Sequence, residues 1–157
     1  MKFVLICMLG ITISSLGLMW VKKILGRINQ LEQIILSINF IRQEIRYSSA
    51  ETLILFKKLN DKYHELFPFD CSYPSEFIDK TIHNENLLLC EGEREDLKLF
   101  LQGIGKTDVS GQLEHSRVYL KKFEKHLSLF REKSSNKIKV YPTLSILVGL
   151  MCVVLLV

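Results

Sequence analysis

The sequence predicts an all-α protein: a small antiparallel helical bundle between an N-terminal and a C-terminal transmembrane helix. Three observations carry this reading. Residues 3–21 and 140–157 hold no charged side chain. All 17 acids, and every Lys or Arg except Lys2, lie between them. Within that middle the apolar residues recur at spacings of three and four, with no convincing period-two alternation.

The first run, 3–21, reaches about 28 Å as a helix, close to the thickness of a hydrocarbon core. It is longer than the apolar core of a signal peptide and passes straight into Lys22-Lys23 with no clear cleavage site. The second run, 140–157, is apolar on every face, which a core helix of a small bundle would not be. Pro142 sits near its start, where a missing N–H costs little. The domains expected are therefore a span at 1–21, a helical domain at 22–139 and a span at 140–157.

Flanking charge sets the direction. Lys22, Lys23 and Arg27 follow the first run, and Lys133, Lys137 and Lys139 precede the second. Basic residues stay on the cytoplasmic side, so the middle is expected in the cytosol, with these side chains near anionic lipid head groups.

The middle is nearly balanced in charge, which does not suit a nucleic-acid binder. Cys7, Cys71, Cys90 and Cys152 are irregularly spaced, which suits neither a disulfide framework nor a zinc site.

Ile24, Ile28, Leu31, Ile35, Ile38 and Ile45 form a heptad-like seam, interrupted at Arg42 with Ile41 beside it. It reads as the core face of a long helix that continues the first span, or as a self-associating stalk. Ser48-Ser49 offers the next helix start, with Leu53, Phe56 and Leu59 as its apolar face. The stretch 68–74 holds two prolines and reads as a break, with Phe67, Phe69 and Tyr73 in or beside it. A short helix around Phe77 and Ile82 follows. Leu87, Leu88 and Leu89 form an apolar docking segment.

Residues 91–104 read as a helix with Leu97, Phe100, Leu101 and Ile104 on one side. Glu91, Glu93, Glu95 and Asp96 suit the positive end of its dipole. Gly105 is the expected stop and Thr107-Asp108 the cap of the next helix. That helix carries Leu113, Leu120, Phe123, Leu127 and Phe130 inward, and Lys121, Lys122 and Lys125 outward.

Chemical motifs are weak. Gly103-Ile104-Gly105-Lys106-Thr107 ends like a phosphate-binding loop, but Phe100 stands where the pattern needs its first glycine, and a helix precedes it rather than a strand. His64, His83, His115 and His126 lack metal-ligand spacing, although His115 and His126 share a face, and they read as exposed or capping residues. No nucleophile–base arrangement can be argued, so no enzyme, cofactor or metal is expected.

Three motifs carry a resemblance. Glu44-Ile45-Arg46-Tyr47 resembles the Glu-Ile-x-Tyr element of the stage III sporulation protein AB family. Phe100, Ile104, Gly105, Asp108 and Gln112 resemble that family's Phe-x-x-x-Leu-Gly-x-x-Asp-x-x-x-Gln turn. Lys137, Tyr141 and Leu144 resemble its entry into the last span. Thr52-Leu53 here lacks the proline the family often places between them, Leu144-Ser145 stands for Leu-Gly, and 65–90 match poorly.

The resemblance, taken over essentially the whole chain, implies a protein of endospore-forming bacteria in the mother-cell membrane around the forespore. It implies a structural part in a secretion-like channel, with a soluble domain similar to the F-type platform protein of type II secretion and type IV pilus systems. The partners it implies are membrane lipid, a secretion-type ATPase and other channel subunits. Glu44, Tyr47, Phe100, Gly105, Asp108 and Gln112 would be helix-turn and interface residues. Without the resemblance, the competing reading is a membrane sensor or regulator that signals through self-association of its helical stalk.

Overall fold

The computed structural model describes residues 2–48, 51–68 and 72–156, with backbone alone at 2–11, 13, 14, 16, 17, 48, 149 and 152–156. The described residues form five helices and no strand: α1 (Lys2–Ser48), α2 (Thr52–Lys62), α3 (Pro74–Ile82), α4 (Glu91–Gly103) and α5 (Val109–Leu156). They fall into two compact units, Met1–Ile28 with Leu129–Val157, and Asn29–Ser128.

The unit 29–128 is organised around α1. Leu31, Ile34, Ile38, Ile41 and Ile45 are buried, the first four completely. Their spacing of three, four, three and four puts them on one stripe. Of the seam expected from the sequence, Leu31, Ile38 and Ile45 are in the stripe, whereas Ile34 replaces Ile35, which is half-buried beside it, and Ile41 holds the position where Arg42 was expected to interrupt. All five are β-branched or γ-branched aliphatics without a polar atom, so the stripe gains most by leaving water.

The helices around the stripe pair antiparallel. Glu44 near the end of α1 pairs with Lys58 of α2, and Phe40 meets Tyr63 just past α2 edge-on at 6.1 Å. On α4, Asp96 pairs with Lys122 while the later Phe100 packs on the earlier Tyr119 of α5. Phe56, Phe67 and Phe77 stack at 4.7 and 5.6 Å, locking α2 and α3 through the turn between them. Phe67, beside the break expected from the sequence, is a core residue; Tyr73 is exposed, and Phe69 and Cys71 lie outside the described residues. Tyr73 precedes Pro74 in extended backbone, and Pro74 opens α3, where its missing N–H has no intrahelical partner to lose.

Several boundaries differ from expectation. Ser48 ends α1 and α2 opens at Thr52 after Glu51, so the serines do not start the second helix; Ser49 lies outside the described residues. Leu55 rather than Leu53 joins Phe56 and Leu59 in the core. Pro142 does not open a new helix. It lies inside α5, where the carbonyl of Ile138 has no N–H to accept from. The Thr143 hydroxyl donates to the neighbouring Lys139 carbonyl at 3.1 Å.

In the other unit, Arg27 lies 4.3 Å over the Phe130 ring and Ser134 is buried. The division between the units falls at Ile28 and Leu129. Lys22, Lys23, Lys133, Lys137 and Lys139 are exposed, whereas Arg27 is half-buried against that ring. Among the described residues no helix is long and apolar enough to cross a membrane. Much of 3–21 and part of 140–157 lie outside the side chains described. The structure by itself therefore carries the helices but not the spans.

Replacing Ile38, fully buried on the α1 stripe, by Ala should cost about 2–5 kcal/mol of stability. Leu36→Ala, at a half-exposed position on the same helix, should cost far less. Denaturant titration of both variants followed by circular dichroism checks the contrast.

Candidate functional site

The turn between α4 and α5 gathers Phe100, Gly105, Asp108 and Gln112, four of the six candidate residues. Phe100 is buried and stacks on the His115 imidazole, with ring centres 5.7 Å apart, and the His115 Nε2 meets the Phe100 carbonyl at 3.0 Å. Ile104 follows as the buried C-cap. Gly105 has φ +80°, the left-handed region where a Cβ is penalised, and an added Cβ would lie 2.4 Å from the Thr52 hydroxyl oxygen. Both backbone shape and close approach therefore demand glycine.

Gln112 closes the turn. Its Oε1 accepts from the Gly105 N–H at 3.2 Å, and its Nε2 donates to the Thr107 carbonyl at 2.8 Å. Asp108 caps α5: it accepts from the Gly111 N–H at 3.1 Å and from the Ser110 hydroxyl. Those bonds hold its carboxyl below the usual carboxylate range. All the groups of this turn that the sequence singled out are thus spent on the turn itself.

The same bonds decide the resemblance to a phosphate loop. The N–H groups of Ile104, Gly105 and Lys106 go to Leu101 O, Gln112 Oε1 and Gly103 O. A phosphate cradle needs such N–H groups converging and free.

Glu44 and Tyr47 sit elsewhere, at the end of α1. Glu44 is half-buried in its ion pair with Lys58, whereas Tyr47 is 81% exposed. Tyr47 lines a pocket of about 210 Å³ with Asn39, Arg42, Gln43 and Arg46.

Several side chains matter more than their sequence signals suggested. His115 and His126 are half-buried rather than free. The His115 ring lies where a Gly103 Cβ would be, 2.2 Å from Nε2, so that glycine too is fixed by close approach. His126 Nε2 meets Asp96 at 2.9 Å, and Lys122 reaches the other Asp96 oxygen at 2.7 Å. Asp96 therefore clasps α4 to α5 rather than serving the α4 start, where Glu93 accepts from the Cys90 N–H at 2.8 Å. Burial alone would raise the Asp96 carboxyl, but the hydrogen bonds and charges of His126 and Lys122 outweigh it and lower it. The same carboxylate raises the Lys122 ammonium.

Arg94 and Gln30 had no motif to flag them. Arg94 donates to the carbonyls of Ile82, Asn84 and Leu87, tying down the α3–α4 connection. Gln30 donates to the Asn86 carbonyl and accepts from the Leu88 N–H, docking that connection on α1. An arginine or glutamine that satisfies backbone groups of a loop leaves no periodicity behind.

The described residues are all helical, and the most specific motif is a turn capped by its own side chains. The family model for stage III sporulation protein AB matches residues 72–157, which includes that turn. The chain belongs to the stage III sporulation protein AB family, so it is a sporulation protein. Glu44 and Tyr47 precede the matched stretch, which is shorter than the whole-chain likeness read from the sequence. No curated protein and no solved structure matches the chain.

Gly105→Ala should destabilise the bundle by about 1–2 kcal/mol from the left-handed backbone alone, with a further loss from the displaced Thr52. Thermal melts of the two proteins measure it.

Asp96→Asn tests the clasp. A lowered carboxyl stabilises fully above its ordinary pKa, and the stabilisation is lost as pH falls through the lowered folded value. The wild-type advantage should be up to about 1 kcal/mol at neutral pH and should vanish in acid. Denaturation midpoints across a pH series give the difference directly.

Proposed function

We propose that the chain is a membrane-anchored structural component of a secretion-like channel between mother cell and forespore. It would act there as a platform or adaptor for a secretion-type ATPase. The observation that carries the reading is the family match over α3, α4 and α5.

The physical features agree with it. In the unit formed by the two chain ends, Leu18, Met19, Trp20, Ile146, Leu147, Leu150 and Met151 are each more than half exposed. Large apolar side chains exposed in such number are costly in water and mark a membrane or an interface. Lys22, Lys23, Lys133, Lys137 and Lys139 border those runs, the arrangement expected of spans whose basic ends remain in the cytosol. Both ends would then tether the middle domain to the mother-cell side of the membrane around the forespore. A docking role suits a unit whose motif residues serve its own turn.

The rival reading, a sensor signalling through a self-associating stalk, needs a free heptad seam. Here Leu31, Ile34, Ile38, Ile41 and Ile45 are already buried within one chain. Self-association would have to use another surface.

Deletion of the gene in an endospore-forming host should block sporulation after engulfment, and the tagged protein should copurify with a secretion-type ATPase. Normal spore yield from the deletion strain would sink the proposal.

A further inference from the structure

The pocket at the end of α1 is unusual in its charge. Arg42 and Arg46 stand four residues apart on one helix face, a spacing at which like charges repel. Among the described residues no carboxylate lines this pocket, and neither arginine has an ion pair. The Arg42 Nε is shut off from solvent with no hydrogen-bond acceptor. Glu44, between the two arginines in sequence, is taken by Lys58. Asn39 donates an amide N–H to the Ile35 carbonyl. Beside the two cations, the Tyr47 ring is 81% exposed.

We infer that the Arg42–Arg46–Tyr47 pocket docks an acidic segment of a partner protein. The arginines receive its carboxylates and the Tyr47 ring packs on the adjoining side chain. Guanidinium forks match carboxylates in pairs, and Tyr and Arg together are the residues that dominate protein interfaces. A membrane surface is met by a cluster of about four to eight basic side chains, whereas this pocket is lined by Arg42 and Arg46 alone among basic residues. Its amide and aromatic walls favour a shaped ligand over a headgroup layer. The inference rests on the docking role proposed above only for the partner's identity; the pocket's charge and shape stand apart from it.

The test uses the full chain in neutral detergent micelles. Short fluorescein-labelled peptides of alternating Glu and Leu, or of Gln and Leu, are titrated by anisotropy at low and high salt. The Glu peptide should bind, should weaken with salt, and should bind better than the Gln peptide. Arg42→Gln with Arg46→Gln should weaken it by about tenfold or more, and Tyr47→Ala should also weaken it. Lys121→Gln with Lys125→Gln removes as much charge elsewhere and should change little. Tyr47 is so exposed that its replacement keeps the fold, which a thermal melt verifies.

Unchanged binding in the double arginine variant, or an equal loss in the lysine control, overturns the inference. Displacement of the peptide by inorganic phosphate or phosphatidylglycerol vesicles as effectively as by unlabelled peptide overturns it too. Spore yield of the deletion strain is scored separately. Site-specific peptide binding with normal spore yield would remove the channel role and leave the pocket; a sporulation block without site-specific binding would do the reverse.

Discussion

Burial of the aliphatic stripe Leu31, Ile34, Ile38, Ile41 and Ile45 is the constraint from which the unit 29–128 follows. Each such side chain contributes about 1.5–3 kcal/mol when fully removed from water. One helix cannot bury its own stripe, so other elements must cover it. The short helices α2, α3 and α4 lie between α1 and α5 in sequence and are too brief to be stable alone. Their apolar faces, Leu55-Phe56-Leu59, Phe77-Ile78 and Leu97-Phe100-Leu101, gain their helicity by packing.

Hydrophobic burial sets which faces turn inward but not how the connections run. That falls to a few long polar side chains. Gln30 and Arg94 hold the α3–α4 connection through its backbone carbonyls and one N–H, and Gln112 holds the α4–α5 turn in the same manner. Buried loops would otherwise leave backbone groups unpaired, at a cost comparable to a lost hydrogen bond each. The Asp96 clasp adds a second fastening to the α4–α5 hairpin, sensitive to acid where the amide fastenings are not.

Local rules made much of this visible in the sequence. Gly105, Asp108 and the apolar face of α4 follow from cap chemistry and periodicity within a dozen residues, and all three stand as read. On α1, Leu31, Ile38 and Ile45 of the stripe were legible, but adjacent isoleucines at 34–35 leave two phases open there and only the packing partners choose. Phe67 lies beside the expected break, as read, yet its burial was not legible, since a turn can still point one ring into the core. His115 and Asp96 could not be placed from sequence, since their partners lie 15 to 30 residues away. At the apolar ends the described residues are helical, and Leu18, Met19, Trp20, Ile146, Leu147, Leu150 and Met151 are exposed, but among the described residues no helix is long and apolar enough to cross a membrane.

The turn motif and the surface of the molecule therefore carry different information. Phe100, Ile104, Gly105, Asp108 and Gln112 bind to one another or to the bundle, so a chain that retains them retains the hairpin whatever it binds. A motif of this kind identifies a family by its fold and says little about contacts. Contacts must be sought among groups whose bonding the fold leaves unfinished. In the unit 29–128, Gly105 and Asp108 have every reason to be where they are without a partner. Arg42 and Arg46 have none: two like charges on one face, one with a buried Nε lacking an acceptor, beside an aromatic ring left in water. An arrangement that no bond within the described unit accounts for is where a binding partner is to be sought.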